Sequence, residues 1–280
     1  MSMQDQTVVI SGGTDGIGRC VAEQLAKSGA RVLITGRSVE KAQQVVDDIN
    51  RWSVNQASYV TLDLSSPTSV RRAAQEILEQ CQQINILINC AGIIAHTRQE
   101  TPESYELTWA TNHLGPFLLT NLLCDRIIDS APGRIVIVSS AAQRTGHINF
   151  DDLQSTGDYT TMKVYAQSKL ANVMFARSLA GRLKHSGVTV NSLHPGFVAT
   201  RIFRELDGIV RIFVSIGVRL FASSPDVAAR TVVNLASSSE VAGVTGAYFD
   251  KFKVSRPSAG ALDEEACEQL WQLSKNAVGL

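Results

Sequence analysis

Residues 7–18 read Thr7-Val-Val-Ile-Ser-Gly-Gly-Thr-Asp-Gly-Ile-Gly18, a short β-branched run that leads directly into a glycine-rich turn. Glycine lets a backbone turn sharply and approach a pyrophosphate closely, while the N-terminus of a following helix offers free N–H groups. A turn of this kind between a strand and a helix is typical of the first βαβ unit of a dinucleotide-binding fold. The alternative is a glycine-rich turn that only packs helix on strand, but the position of the turn favours the nucleotide interpretation.

The rest of the chain repeats this alternation of short apolar runs and amphipathic helical stretches. The strands are predicted at Thr7–Ile10, Arg31–Thr35, Ser58–Leu62, Ile84–Asn89, Gly133–Val138, Val188–Leu193 and Ala247–Asp250. The helices are predicted at Ile17–Ser28, Val39–Arg51, Pro67–Gln82, Ser104–Asp129, Thr161–Ser186 and Pro225–Ser237. Strand centres that are continuously apolar indicate a parallel sheet covered on both faces. We therefore predict an α/β fold, with residues 1–280 as a single doubly wound Rossmann-type domain built on a seven-stranded parallel sheet.

The composition excludes several classes of function. The 280 residues are 44% hydrophobic and 19% charged, and 26 basic side chains balance 26 acidic ones, so nothing predicts a nucleic-acid partner. Five scattered cysteines without a C-x-x-C, and histidines without ligand spacing, predict neither a disulfide framework nor a metal site. The N-terminal region has no signal core, and the longest apolar region, Gly208–Phe221, is interrupted by Arg211 and Arg219. We expect a cytoplasmic protein.

The end of the second strand favours NADP(H) over NAD(H). An NAD site usually carries an acidic residue there to bind the ribose 2′-hydroxyl, whereas this strand leads into Gly36-Arg37. The guanidinium of Arg37 suits a 2′-phosphate, and Arg19 could assist. The alternative for Arg37 is a solvent-facing residue at the start of a helix. Asp15 adds negative charge to the phosphate loop unless its side chain caps the helix.

Tyr165 and Lys169 form a chemically recognisable pair if residues 161–186 are helical. At i and i+4 they lie on the same helix face, where the ammonium favours the phenolate and lowers the pKa of the phenol toward the working range. Two residues at this spacing are, taken alone, more often just neighbours on a solvated face. The interpretation gains weight because polar residues follow the predicted strands upstream, among them Asn112 and Ser140.

Taken together, these residues resemble the short-chain dehydrogenase/reductase family over nearly the whole chain. Within that family the chain is similar to the retinol dehydrogenase-like branch. The resemblance is carried by Thr111–Leu123, Arg134–Ser140, Tyr165–Asn172, Gly246–Phe249, Asp263–Ala266 and Leu270-Trp271.

The resemblance implies a catalytic set of Asn112, Ser140, Tyr165 and Lys169. Tyr165 would be the general acid/base, with Lys169 as its activator, and Ser140 and Tyr165 would bind the substrate oxygen. Asn112 would hold a water in a proton relay. The implied cofactor-binding residues are Gly12, Thr14, Asp15, Gly16, Ile17, Gly18, Arg37, Asp63, Leu64, Asn89, Ala91, Gly92, Tyr165, Lys169, Pro195, Gly196, Val198 and Thr200.

Three features depart from the family pattern. Ser11 replaces the usual threonine of the glycine motif, and Cys90 replaces the second asparagine of the usual Asn-Asn-Ala-Gly. The separation between Ser140 and Tyr165 is about twice the usual one, and the extra segment, residues 145–162, is expected to border the substrate entrance.

The apolar segment at about 200–224 is expected to be a substrate lid. Core helix and membrane-surface helix are the second and third interpretations. The expected activity is hydride transfer between NADP(H) and a small hydrophobic carbonyl or alcohol: a retinoid, a steroid, a lipid aldehyde or a xenobiotic ketone. The alternative is a non-catalytic NADP(H) sensor on the same fold. The resemblance also allows a homodimer through the helices Ser104–Asp129 and Thr161–Ser186.

Overall fold

A computed structural model describes residues 3–197 and 224–280, whose strands form one eight-stranded sheet in the order β3-β2-β1-β4-β5-β6-β7-β8. The strands are β1 Thr7–Ser11, β2 Arg31–Gly36, β3 Ser58–Thr61, β4 Ile86–Asn89, β5 Gly133–Val138, β6 Val188–His194, β7 Tyr248–Asp250 and β8 Lys253–Ser255. The predicted α/β fold is confirmed. The predicted strand number is wrong by one, because β8 adds an antiparallel edge to an otherwise parallel sheet. β8 escaped prediction because it is short and lacks an apolar core.

The helices begin largely where capping side chains occur in the sequence. They are α1 Gly16–Lys27, α2 Val39–Asn50, α3 Pro67–Gln80, α4 Leu107–Trp109, α5 Gly115–Asp129, α6 Thr161–Arg182, α7 Pro225–Ser237 and α8 Glu264–Val278. Ser38, Ser66 and Ser224 each accept a backbone hydrogen bond at a helix N-terminus, and proline occupies the first position of α3 and α7.

Helices cover both faces of the sheet, as predicted. In β1, the Val9 side chain belongs to the core that contains α3, α5 and α6, whereas Val8 and Ile10 belong to the core that contains α1, α2 and α7. This alternation explains why the strand is apolar at every position.

Two helical regions differ from the prediction. The segment predicted as one helix at Ser104–Asp129 contains a π-helical turn, Ala110–Leu114, between α4 and α5. The helix α8 was not predicted, although Asp263 caps its start and Gly279 ends it in a left-handed conformation. It packs against α6 and α5, the two helices expected to pair in a homodimer, which stays a prediction.

The strand order places a topological switch point between β1 and β4. The chain leaves β3 at one edge of the sheet and returns beside β1, so that Ser11 and Asn89 are neighbours at the carboxyl ends of β1 and β4. Ligands of open α/β sheets bind in the crevice outside such a point. The predicted phosphate turn lies there.

Some sequence expectations fall outside the described residues. Val198, Thr200 and all but the last residue of the predicted lid belong to residues 198–223. In the described part of the chain, no helix is long and apolar enough to cross a membrane, and no group of three potential metal ligands occurs. All five cysteines are free thiols, and burial raises the pKa of each one.

Candidate active site

The turn between β1 and α1 is closely packed and depends on glycine. Gly12 has a φ of 77°, and a Cβ there would lie 2.8 Å from the Cα of Ala91. A Cβ on Gly18 would lie 2.1 Å from the carbonyl oxygen of Gly12. Any other residue at these two positions would push the turn away from β4 or from α1.

Asp15 caps α1. Its Oδ1 accepts a hydrogen bond from the Gly16 N–H at 2.8 Å, which leaves the N–H groups of the rest of the first helical turn at the ligand edge of the sheet. An acidic residue was expected to fit in the phosphate loop if its side chain caps the helix, and the side chain of Asp15 does so. The donor set of this turn, backbone N–H groups at a helix N-terminus, suits a pyrophosphate.

Arg37 and Arg19 differ in their availability. Arg19 donates to Glu23 at 2.8 Å and to Asp48 at 3.0 Å, and these pairs raise its pKa, the hydrogen bond to Glu23 most strongly. Arg37 is exposed directly after β2 and has no ion-pair partner within the described ranges 3–197 and 224–280. Arg37 is therefore free to bind a 2′-phosphate, and Arg19 is already engaged.

Tyr165 and Lys169 lie in the first turns of α6 and are buried, with 8% and 4% of their surface exposed. The Lys169 Nζ lies 5.5 Å from the centroid of the Tyr165 ring and donates to the carbonyl of Val138 at 3.4 Å. The predicted spacing does bring the two groups together.

The pKa values of this pair reflect burial more than mutual attraction. Burial lowers the pKa of Lys169 to about 8, opposed by the neighbouring Cys90 thiol. Burial also raises the pKa of Tyr165, opposed by a hydrogen bond with Ser140. The pKa of Tyr165 is therefore raised in this structure, because the removal of the phenolate from water outweighs the hydrogen bond with Ser140, and the activating role expected of Lys169 stays a prediction.

The two serines after β5 have different partners. Ser139 Oγ donates to the carbonyl of Lys169 at 2.7 Å and so ties β5 to α6. Ser140 Oγ accepts from the Ala142 N–H at 3.2 Å, which leaves its hydroxyl proton for another acceptor. The geometry agrees with the choice of Ser140 as the predicted site residue.

Asn112 lies in the π-helical turn and is fully buried. Its Nδ2 donates to the carbonyl of Ile93 at 2.9 Å and to Ser168 Oγ at 3.1 Å, and its Oδ1 accepts from the Ile93 N–H at 2.8 Å. A Cβ added to Gly92 would lie 3.1 Å from Lys169 Nζ and 3.4 Å from Asn112 Oδ1, so the two predicted catalytic residues converge there. A π turn inside a helix is frequent at functional sites.

The remaining predicted residues surround this centre, but several have side chains committed to local structure. The Asp63 carboxylate accepts from the Ser65 N–H and hydroxyl, and Asn89 Nδ2 donates to Thr120 Oγ1 at 2.8 Å in the core. Leu64 is buried against Gly115. The other described positions at the ligand edge are Thr14, Ile17, Ala91, Pro195 and Gly196. These bonds use only Oδ1 of Asp63, and Oδ1 of Asn89 is buried without a hydrogen-bond partner among the described residues, so each side chain keeps an acceptor oxygen for a cofactor.

Sequence reasoning missed three residues that shape the site. Ser168 donates to the carbonyl of Tyr165 at 2.7 Å while it accepts from Asn112. Gly146 packs against α6, where a Cβ would lie 2.5 Å from the carbonyl oxygen of Ala166. Gln143 is fully buried beside Ser140. A polar residue within an apolar helix face was a signal for Ser168, but the other two depend on contacts between distant segments.

Comparison with known proteins agrees with this geometry. The family described as short chain dehydrogenase matches residues 6–208. Retinol dehydrogenase 13 of Homo sapiens is 41% identical over 281 residues, covering 98% of this chain and 85% of that protein. Retinol dehydrogenase 14 of Homo sapiens is 39% identical over 294 residues, covering 99% and 88%.

Two solved structures show the same fold. A protein from Mycobacterium paratuberculosis has a TM-score of 0.80 and 30% identity, with 99% of this chain and 95% of that chain covered. A blue fluorescent protein from a metagenomic library, in complex with NADPH, has a TM-score of 0.72 and 25% identity, with 91% of this chain and 100% of that chain covered.

Proposed function

Because the chain belongs to the short-chain dehydrogenase/reductase family and to its retinol dehydrogenase-like branch, we propose that it is an NADP(H)-dependent oxidoreductase of hydrophobic carbonyls and alcohols. The observation that carries this proposal is the convergence of the buried Tyr165 and Lys169 with Ser140 and Asn112 at the carboxyl edge of the sheet.

The proton at Tyr165 Oη is the one that moves. A phenol whose pKa is raised by burial keeps its proton at neutral pH, so Tyr165 can donate to the oxygen of a carbonyl as that oxygen becomes an alkoxide. Ser140, whose hydroxyl lies beside the Tyr165 phenol, would donate its proton to the same oxygen of a bound substrate. When bound, the nicotinamide supplies the hydride for reduction or accepts it in oxidation.

Lys169 holds a positive charge beside this proton. With a pKa of about 8 it is protonated at neutral pH, and one of its three donors points to Val138. The other two donors remain for the ribose hydroxyls of the cofactor. The charge also stabilises the phenolate that Tyr165 becomes after it donates its proton.

The preference for NADP(H) rests on Arg37. This residue follows β2, is exposed, and is unpaired in the described part of the chain. A guanidinium fork binds a phosphate through two parallel hydrogen bonds, which a ribose hydroxyl cannot reproduce.

The proposed hydrophobic substrate class is supported by exposed apolar side chains near Pro195 and Tyr165 in the chain and by the composition of the sequence after them. Phe197 and Met162 keep 65% and 52% of their surface exposed, and residues 202–221 of the sequence are rich in apolar side chains. We rank retinoids first among the candidate substrates, ahead of steroids, lipid aldehydes and xenobiotic ketones, because the similar human proteins are named retinol dehydrogenases.

The experiment is a carbonyl panel incubated with NADPH and, in parallel, with NADH, followed by the absorbance of the reduced nicotinamide. We expect turnover of apolar aldehydes with NADPH, and its loss in Tyr165→Phe, which keeps the ring but has no proton to give. Tight NADPH binding without turnover of any carbonyl or alcohol would favour the sensor instead. Equal use of a hydrophilic aldehyde would contradict the proposed substrate class.

A further inference from the structure

Gln143 is a fully buried polar residue three positions after Ser140. It lies in a 3₁₀ helix of one turn, Ala141–Arg144. Its neighbours in sequence, Arg144 and Thr145, are exposed. Burying an amide costs free energy unless it is hydrogen-bonded, so its contacts indicate what it holds in place.

Gln143 joins the turn to two distant segments. Its Oε1 accepts from the Ser258 N–H at 3.0 Å. Its amide also faces the phenol of Tyr248, which is 2% exposed. This interaction opposes, without overcoming, the burial that raises the pKa of Tyr248 to about 12. By distance and angle, neither Gln143 Nε2 nor the Tyr248 hydroxyl has a hydrogen-bond partner among the described residues, so the bond from the Ser258 N–H is the one that anchors this side chain.

The same turn determines where the Ser140 hydroxyl points. The N–H of Gln143 donates to the Ser140 carbonyl at 3.2 Å, and the N–H of Ala142 donates to Ser140 Oγ at 3.2 Å. A shift of the turn would therefore move the acceptor side of the serine hydroxyl, and with it the direction of its proton.

We propose that Gln143 is a positioning residue for Ser140, which it holds in place by anchoring the 3₁₀ turn to the backbone of Ser258. This role rests on the proposed function, because it matters only if Ser140 binds the reacting oxygen. It links the catalytic serine to the C-terminal part of the chain, more than 100 residues away in sequence.

The first test is Gln143→Met, which keeps the length of the side chain and removes both polar atoms. We expect kcat to fall roughly tenfold or more, because small displacements of positioned groups are costly. The Kd of NADPH, measured by fluorescence, should not change, and amide hydrogen exchange of residues 141–146 should become faster. An unchanged kcat together with unchanged exchange would overturn the role.

A double-mutant cycle distinguishes positioning from general support of the fold. If Gln143 acts through Ser140, then Gln143→Met should slow a Ser140→Ala enzyme no further. A full additional loss in the Ser140→Ala background would show that Gln143 acts elsewhere, and would overturn the proposal.

Ser258→Pro provides a second variant if Gln143→Met fails to fold. The φ of Ser258 is −61°, which proline adopts without strain, and the change removes the N–H that donates to Gln143. The hydroxyl that is lost with it has no hydrogen-bond partner among the described residues. It should lower kcat in the same direction and show the same non-additivity with Ser140→Ala. A wild-type chain without turnover would overturn the proposed function and this role with it. If the wild type is active and both variants have the same kcat as the wild type, only the role of Gln143 would be overturned.

Discussion

At the scale of single residues, the adjacent serines at the end of β5 show how strand alternation assigns chemistry. Successive side chains of an extended chain point in opposite directions, so Ser139 reaches the backbone of α6 while Ser140 begins the next turn. The two residues have the same hydroxyl but different availability of its proton. Position relative to the strand, rather than residue type, separates the structural Ser139 from Ser140, the serine proposed to bind substrate.

Lys169 is expected to reduce the stability of the fold at neutral pH. Its folded pKa of about 8 lies below the ordinary 10.5, so the folded chain carries a buried charge that the unfolded chain holds in water. Lys169→Met should raise the free energy of unfolding at neutral pH by at most about 3 kcal/mol, while turnover is lost. The gain should shrink as the pH rises from 8 to 10.5, because the folded wild type releases its proton first.

Urea unfolding of both proteins across that pH range measures this effect. A Lys169→Met protein that is less stable than the wild type at neutral pH would show that the ammonium contributes net stabilising contacts, contrary to the expectation.

Arg37 should determine the choice between the two nicotinamide cofactors. Arg37→Ser removes the only charge proposed for the 2′-phosphate, so the KM for NADPH should rise roughly tenfold or more while the KM for NADH stays within about twofold. Lys184→Ala is a matched control, because this exposed lysine lies just before the start of β6, at the opposite end of the strands from the ligand edge. An equal rise in both KM values would mean that Arg37 supports the fold of the loop instead.

At the scale of elements, the site depends on how closely the 3₁₀ turn approaches α6. Gly146→Ala would place a methyl group 2.5 Å from the Ala166 carbonyl, one residue after Tyr165, so the turn and the helix must separate. We expect a loss of about 1–3 kcal/mol in stability and a lower kcat. Gly181→Ala provides the comparison, since nothing lies within 4 Å of its added Cβ and alanine favours the helix by up to about 1 kcal/mol.

Thermal unfolding and kcat of both variants test this. A Gly146→Ala protein with the stability and the kcat of Gly181→Ala would contradict the close packing of the turn on α6.

At the scale of the whole molecule, the buried His113 makes the free energy of unfolding depend on pH. It lies buried between Trp109 and Phe117, and its Nε2 is 2.8 Å from Ser274 Oγ of α8. Burial lowers its pKa from 6.5 to about 4, opposed by a hydrogen bond with Asn172. Between pH 6.5 and 4 the unfolded chain therefore binds a proton at His113 that the folded chain does not bind. The free energy of unfolding falls over this pH range by up to about 3 kcal/mol.

In His113→Phe, the slope of the unfolding free energy against pH should be smaller by the equivalent of about one bound proton. His147→Phe, at an exposed position, is the control that should leave the slope unchanged. Equal slopes for wild type and His113→Phe would contradict the assignment.

The sequence predicted the parallel strands well because each is a run of apolar residues that needs no distant partner to be recognised. It missed β8 because Lys253 and Val254 are exposed and carry no apolar pattern. It missed α8, although Asp263 and Gly279 are capping signals, because such short signals are common in loops as well.

For the site, spacing alone was enough to place Tyr165 beside Lys169. It was not enough for the sign of the pKa shift of Tyr165, because burial is a property of the assembled fold. Nor could it show that Arg19 is bound by Asp48 of α2, or that Gln143 reaches Ser258. These contacts arise from the packing of one element on another.

The raised thiol pKa values make the molecule convenient for selective chemical labelling. Burial raises the pKa of Cys90 to about 12 and that of Cys124 to about 11, and it raises the other three as well. Since alkylating reagents attack the thiolate, the native cysteines should react slowly at neutral pH. A single new cysteine at the half-exposed Met162 would then be the preferred point of attachment for a fluorophore. Such a reporter, three residues before Tyr165 in α6, could be attached without the removal of any native cysteine.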